Sequence, residues 1–375
     1  MKVLIYHSYV FLGGAETILR SLTDYLVKKG YDVTIMATPG KREEFKMAFD
    51  PKVKCIRSRL PKRYMGENPL LKLIDTFCRK VYRLYPVSYL KLHKYDVGIA
   101  FMEGAITKEG VAIKADRKFA WVHCDWRKYY HNEPFYQEYY SGIDEEFRVM
   151  KSYNKIVCVS ESAKEGVIET VGDTGNLCVC YNPIDWREIR EKAKESCPVE
   201  KDSSRPLIVT IGSLGKVKNY NILLEACRKL KGDVPFDVWM IGGGSEEQSL
   251  KQFAIDNELD NIHFLGYQQN PFKYLAQADL FVSTSISESY GLAVQEAFIL
   301  GVPVVAVKCS GIEEVFDMRF GKLIDNSEEE LASTLKEIMS NQQVLQDFHK
   351  AIVNNFEVSE LYEGRMESIC NLWEA

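Results

Sequence analysis

From residue 3 to residue 324 the chain alternates short apolar runs with amphipathic helical stretches, and that rhythm leaves few folds open. Runs at 3–6, 33–37, 97–101, 119–122, 156–160 and 177–181 read as strands, with helical stretches between several of them. A helix between two strands implies a parallel crossover, since a parallel pair cannot be closed by a tight turn. A second series follows at 207–212, 238–242, 262–266, 280–284, 302–307 and 323–324. Between the two series, residues 182–206 hold Asn-Pro, Cys-Pro and Ser-Ser-Arg-Pro breaks around a charged helix, which suits an interdomain linker. The expected architecture is α/β, two doubly wound Rossmann-like domains at 1–186 and 187–355. With 375 residues and 46% hydrophobic content the chain can bury two cores. No short repeat links the halves, so they are alike in architecture only.

The second series carries the densest chemistry. Glu288-Ser289-Tyr290-Gly291-Leu292 leads into an amphipathic run containing Glu296, and Gly301 stops that run before the apolar segment 302–307. This reads as a ligand-facing loop, a helix and a strand buried on both faces. Backbone N–H groups at the start of such a helix, together with its dipole, favour a phosphate without a metal. Carboxylates accept strong hydrogen bonds from vicinal hydroxyls, so Glu288 and Glu296 suit a diol on each side of a diphosphate. The implied ligand is a nucleotide-sugar. Read alone, two glutamates eight apart also fit an ordinary αβ unit with solvated side chains; the Ser-Tyr-Gly insert and the Gly-Val-Pro-Val-Val tail favour function.

Glu288, Glu296 and the Gly301-Val-Pro-Val strand together resemble the signature of the retaining, metal-independent glycosyltransferases of family 4, whose GT-B fold sets two Rossmann-like domains against each other. The resemblance implies that Glu288 and the Ser289, Tyr290, Gly291 and Leu292 stretch contact the donor sugar, and that Glu296 holds the ribose hydroxyls. It makes 187–355 the nucleotide-sugar domain and 1–186 the acceptor domain, with the last helix, 356–375, crossing back to the N-terminal one. That helix puts Tyr362, Met366, Ile369 and Trp373 on one face, which needs a surface to cover it. In the matched strand–loop–helix at 211–226, Lys218 corresponds to the family's lysine, Lys216 is a second cation, and Ser213 stands where the family has Arg. A serine there donates one neutral hydrogen bond, so Lys216 compensates or the leaving group is held less well. Tyr267, after the strand 262–266, becomes a nucleobase contact through its backbone. In the first half, Gly13 and Gly14 open a helix that the resemblance sets beside the transferred sugar and acceptor. His123, at the end of the strand 119–122, resembles the family's strand-end histidine beside the donor sugar. Each of these has a plainer reading as a solvated lysine, a turn glycine or a structural histidine; position within the match is what favours function.

Other classes fit less well. The longest apolar run falls short of the roughly 18 residues that span a bilayer, and the N-terminus breaks at His7-Ser8 before a signal-peptide core could form. Ten cysteines without a Cys-x-x-Cys read as reduced core residues in a cytoplasmic protein. Leu12-Gly13-Gly14-Ala15-Glu16 is not a dinucleotide fingerprint, so no cofactor is expected; the absence of Asp-x-Asp suits a site without metal. Residues 52–94 carry 12 Lys/Arg against Glu67 and Asp75, a local +10 in a chain of net charge −5. Within them Leu70, Leu71, Leu73, Ile74, Phe77, Val81, Tyr82, Leu84 and Tyr85 interleave with Lys72, Arg79, Lys80 and Arg83. Such a basic aromatic helix suits the anionic inner face of a membrane or a polyprenyl-diphosphate-linked acceptor, with a solvated helix as the plain alternative. Nucleic acid is disfavoured by a pI near 5.8 and by the lack of any recognised motif. The reading is a peripheral cytoplasmic glycosyltransferase that moves a sugar from a nucleotide-sugar, UDP before GDP, to a glycan or lipid-linked acceptor. A GT-B epimerase or hydrolase would turn over nucleotide-sugar without an acceptor, and a non-catalytic subunit would bind it without turnover.

Overall fold

The first alternation builds one parallel sheet. The computed structural model describes residues 1–10, 13–39, 49–57, 68–129 and 139–374, and the side chains at 9, 10, 38, 39, 69, 75, 76, 78–84, 128 and 129 lie outside the description. Seven strands pair in parallel among these residues: β1 (Lys2–Val10), β2 (Asp32–Pro39), β3 (Lys54–Arg57), β4 (Tyr95–Ala100), β5 (Ala115–Val122), β6 (Lys155–Cys158) and β7 (Leu177–Val179), in the order β3-β2-β1-β4-β5-β6-β7. At its centre Val3, Leu4, Ile5 and Tyr6 are fully buried, with β2 on one side and β4 on the other, which is why β1 is written as an unbroken apolar run. The edge strand β3 is missing from the sequence reading. Its four residues are half-buried or exposed and show no apolar alternation.

The chain then forms a second compact unit, Asp185–Tyr362, before Glu363–Ala375 returns to the first unit, Met1–Ile184. The returning helix, Glu363–Glu374, is shorter than the expected 356–375 and buries three residues of the predicted face, Met366, Ile369 and Trp373, each at most 2% exposed; Tyr362 precedes the helix and belongs to the second unit. The Trp373 ring packs edge-on against Phe119 of β5, its carbonyl accepts from Arg117 at 2.6 Å, and Arg365 donates to the carbonyl of Asn182 at 2.8 Å.

In the second unit β8 (Leu207–Ile211), β9 (Asp237–Ile241), β10 (Ile262–Gly266), β11 (Leu280–Ser283), β12 (Val304–Val307) and β13 (Gly321–Ile324) are ordered β10-β9-β8-β11-β12-β13. Apolar clusters cover both faces, one around Leu223, Leu224 and Leu335, the other around Val294, Phe298 and Ile312. In each sheet the strand order reverses once, between β1 and β4 and between β8 and β11. Ligand sites in open α/β sheets form outside the carboxyl ends of the strands at such reversals.

The boundary between the two units, Ile184/Asp185, falls inside residues 182–206. The charged helix of that stretch, Trp186–Ala193, packs within the second unit, with Ile189 buried, Arg190 bonded to the Ile299 carbonyl and the Lys192 carbonyl accepting from Asn270. The expectation that the cysteines are core residues changes: Cys55, Cys124, Cys178 and Cys197 are only half-buried, outside the core.

The basic window includes the helix Pro69–Leu92, started by Pro69 and capped by Asn68, whose side chain accepts from Leu70 and Leu71 N–H. Leu70, Leu71, Leu73, Ile74 and Phe77 are all exposed, Leu73 by 68% and Phe77 by 66%. Residues 58–67 of the window, and the side chains of Arg79, Lys80, Val81, Tyr82, Arg83 and Leu84, lie outside the description. No described helix is long and apolar enough to cross a membrane.

Candidate active site

In the second unit, the loops that leave β8 and β11 are stitched together at the reversal of strand order. After β8 the chain runs through Gly212 and Ser213 into a single 3-10 turn, Lys216–Lys218. The Ile286 N–H bonds to the Val217 carbonyl at 3.0 Å, and the Thr284 hydroxyl donates to the Lys218 carbonyl at 2.7 Å. These contacts bring Lys218 to Glu288, 70 positions on, as a 2.6 Å ion pair in which both side chains are about one-fifth exposed. The Ser285 hydroxyl donates to the same Glu288 oxygen at 2.7 Å. A half-buried pair of this kind is held by charge-assisted bonds, and removing either partner strands the other.

The helix Leu292–Ile299 follows, and Gly291 at its N-cap takes the left-handed conformation, φ +58°. No side-chain hydrogen bond caps that helix start. Gly311, at the start of the segment after β12, lies so close beneath the Glu288 loop that a Cβ there would come within 2.2 Å of the Glu288 carbonyl oxygen. A glycine is what lets this loop sit down on its neighbour. Glu296, in the second turn of the helix, is half-buried; burial pushes its carboxyl up to about 7, against the pull of the Lys218 charge.

The remaining predicted residues of this unit divide. Lys216 and Ser213 are exposed on the β8 loop, and Lys216 forms no ion pair among the described residues. Tyr267, after Gly266 at the end of β10, is 55% exposed, whereas Tyr290 is buried at 3%. Ser289 and Leu292 are half-buried. Gly244 has a packing reason for being glycine, since a Cβ there would meet the Leu214 carbonyl at 2.4 Å, so its role is to join the loops after β8 and β9.

The first unit has its own cluster at the carboxyl ends of β1, β4 and β5. Gly13 caps the helix Gly14–Lys28, and both glycines are exposed. Glu16 in that helix's first turn reaches His7 of β1, Nε2 to Oε1 3.3 Å. His7 is fully buried, and its Nδ1 has no partner among the described residues. His123 packs edge-on against Phe101, centroids 4.7 Å apart. Burial, with the His7 ring nearby, lowers its pKa to about 3, opposed by a backbone bond to Phe101. The buried Nε2 of His123 also has no partner among the described residues. Glu103, beyond the end of β4, is 7% exposed and accepts from the His123 backbone N–H and from the Cys124 thiol, the latter at 3.4 Å.

Two family models match in tandem: Glycosyltransferase Family 4 over residues 12–187, and Glycosyl transferases group 1 over residues 191–355. The chain belongs to the family 4 glycosyltransferases. A Campylobacter jejuni N-acetylgalactosamine-N,N'-diacetylbacillosaminyl-diphospho-undecaprenol 4-alpha-N-acetylgalactosaminyltransferase is 26% identical over 215 residues, 55% of this chain and 57% of that one. An uncharacterized glycosyltransferase from Haemophilus influenzae is 24% identical over 341 residues, 88% of each. Among solved structures, Anabaena Alr3699/HepE in complex with UDP and glucose superposes with a TM-score of 0.72 at 18% identity, covering 99% of this chain and all of that one. The fold of this family 4 glycosyltransferase is GT-B.

Sequence reasoning missed His7 and Glu103 as members of the first cluster. His7 was visible only as a polar break in a strand. Glu103 carries one faint signal, a carboxylate beside a glycine just past an apolar strand.

Proposed function

We propose that this glycosyltransferase moves a sugar from a UDP-sugar to a glycan or polyprenyl-diphosphate-linked hydroxyl acceptor with retention of the anomeric configuration, in the synthesis of a bacterial surface polysaccharide or glycoconjugate. The observation that carries the reading is the Lys218–Glu288 pair, with Glu296 close by, at the β8/β11 reversal. A diphosphate arriving there competes with Glu288 for the Lys218 ammonium. The start of the helix Leu292–Ile299 and Lys216 add positive potential, so phosphate charge is neutralised without a metal. Glu288, freed from Lys218, turns to the sugar hydroxyls, and Glu296 accepts from the ribose diol. Ser213, in place of an arginine, leaves more of the leaving-group charge to the two lysines.

Transfer with retention proceeds in this reading by front-side attack through an oxocarbenium-like state, with the departing phosphate as base. His123, with a pKa near 3, stays neutral at physiological pH and serves the sugar as a hydrogen-bond partner through Nε2. The first unit holds the acceptor, beside Gly13 and Gly14. Its exposed Leu70–Phe77 face, in a window of +10, supports work at an anionic inner membrane surface. The relative that acts on a diphospho-undecaprenol substrate and the neighbour that binds UDP support the acceptor and donor classes.

Glu288→Ala and His123→Ala test the division of labour. Both should keep UDP affinity in calorimetry while transfer falls by roughly two orders of magnitude or more, because their contacts matter at the reacting ring. For Glu288→Ala the affinity should hold or rise, since Lys218 is released to the phosphates. Near-wild-type transfer by both variants would overturn the sugar-pocket assignment.

A further inference from the structure

We propose that Glu103 is a positioning residue for His123, holding the turn that aims the imidazole at the transferred sugar; this rests on the sugar-pocket reading of His123. Strands β4 and β5 lie side by side, Ile99 opposite Phe119 and Ala100 opposite Ala120. The chain segments leaving them therefore start out adjacent, and Glu103 reaches across to the turn after β5. Its carboxylate bonds to the His123 N–H and the Cys124 thiol, and to the backbone N–H groups of Glu103 and Cys124. No cation pairs with it among the described residues. A buried carboxylate whose described partners are N–H and S–H donors is costly to desolvate, and an apolar residue would fill the volume at less expense. What the carboxylate adds is a fixed backbone for His123 and Cys124.

The ring is fixed from its other sides as well. Phe101 lies edge-on at 4.7 Å and supplies a backbone hydrogen bond, which leaves Nε2 as the nitrogen without a partner among the described residues. A group meant to meet a reacting sugar has to be held within about half an ångström of its working position by residues that are themselves locked. Glu103 is the described residue that locks the His123 backbone from outside its own strand.

The test reads the His123 ring directly and needs no donor or acceptor. In ¹⁵N-histidine-labelled protein at pH 5.5, the wild-type His123 ring should be neutral. In Glu103→Ala the loosened turn should let water reach the ring and raise its midpoint by two pH units or more, so that it is partly protonated at the same pH. Glu103→Gln keeps the shape and one acceptor oxygen and should give an intermediate shift; it carries the test if the alanine variant does not fold. Direction matters here, because removing a carboxyl group, which burial pushes toward its protonated form, can by charge alone only lower a histidine pKa or leave it unchanged. A rise therefore reports lost positioning, while an unchanged or lowered midpoint in the folded variants would overturn the proposal. Failure of the sugar-pocket reading would show separately, as wild-type transfer by His123→Ala.

Discussion

Glu296 is a proton switch coupled to nucleotide binding in this account, and the coupling can be worked out from its surroundings. Burial lifts the carboxyl from an ordinary value near 4.5 to about 7 in the ligand-free protein. Between those two values the folded state holds a proton that the unfolded chain has released, so folding stability is fully present below about pH 4.5 and declines as pH rises through 7. The shift bounds the loss at about 3 kcal/mol. Glu296→Gln keeps the shape without the charge and should be the more stable protein at pH 8, with little difference from wild type at pH 4.5. Binding should show the opposite preference. A ribose diol donates to the ionised carboxylate and returns its pKa toward the ordinary range, so UDP binding expels a proton near pH 6. Affinity should then rise by up to roughly 70-fold between pH 5 and pH 8. The UDP phosphate titrates in the same range, which makes the glutamine variant the necessary control. Calorimetry in buffers of different ionisation enthalpy measures the protons released, and melts at the two pH values measure the stability change. Identical pH slopes for wild type and Glu296→Gln, in binding and in melting, would refute the assignment of the ribose to Glu296.

Two further outcomes follow from the same arrangement. Transfer should continue in excess EDTA, because Lys218, Lys216 and a helix start neutralise the diphosphate; loss of activity restored by Mg²⁺ or Mn²⁺ would contradict this. The protein should float with vesicles containing anionic lipid and not with neutral ones, and added salt should weaken the association. Replacing the exposed Leu73 and Phe77 with Asp should abolish flotation without changing UDP affinity; equal flotation of wild type and variant would return the helix Pro69–Leu92 to a merely solvated role.

The fold was largely legible because parallel strands buried on both faces are written as short unbroken apolar runs. The strands β8 to β12 fall where such runs end in glycine, Thr-Ser or Lys-Cys, and Gly301 stops the helix with φ +76° as expected. Strand β3 escaped because an edge strand with half-exposed residues has no such signature. At the site, local motifs were readable and long-range partnerships were not. Lys218 and Glu288 each stood out by spacing, yet nothing in the spacing says that the two meet; loop-to-loop bonds at Val217, Lys218, Thr284 and Ile286 decide it. Glu103 and His123 are 20 positions apart, and only the neighbouring places of β4 and β5 make them partners.

The central claim is that the second unit is a nucleotide-sugar site. Thermal stabilisation by a panel of nucleoside diphosphates and their sugars, with EDTA present, tests it most directly, since a ligand that binds the native state raises the melting temperature according to its affinity and concentration. The account predicts that UDP and at least one UDP-sugar stabilise the wild-type protein, that the corresponding free sugar does not, and that Glu296→Ala removes most of the effect. A panel in which no nucleotide stabilises the protein, or in which the Glu296→Ala protein responds as fully as wild type, would contradict it.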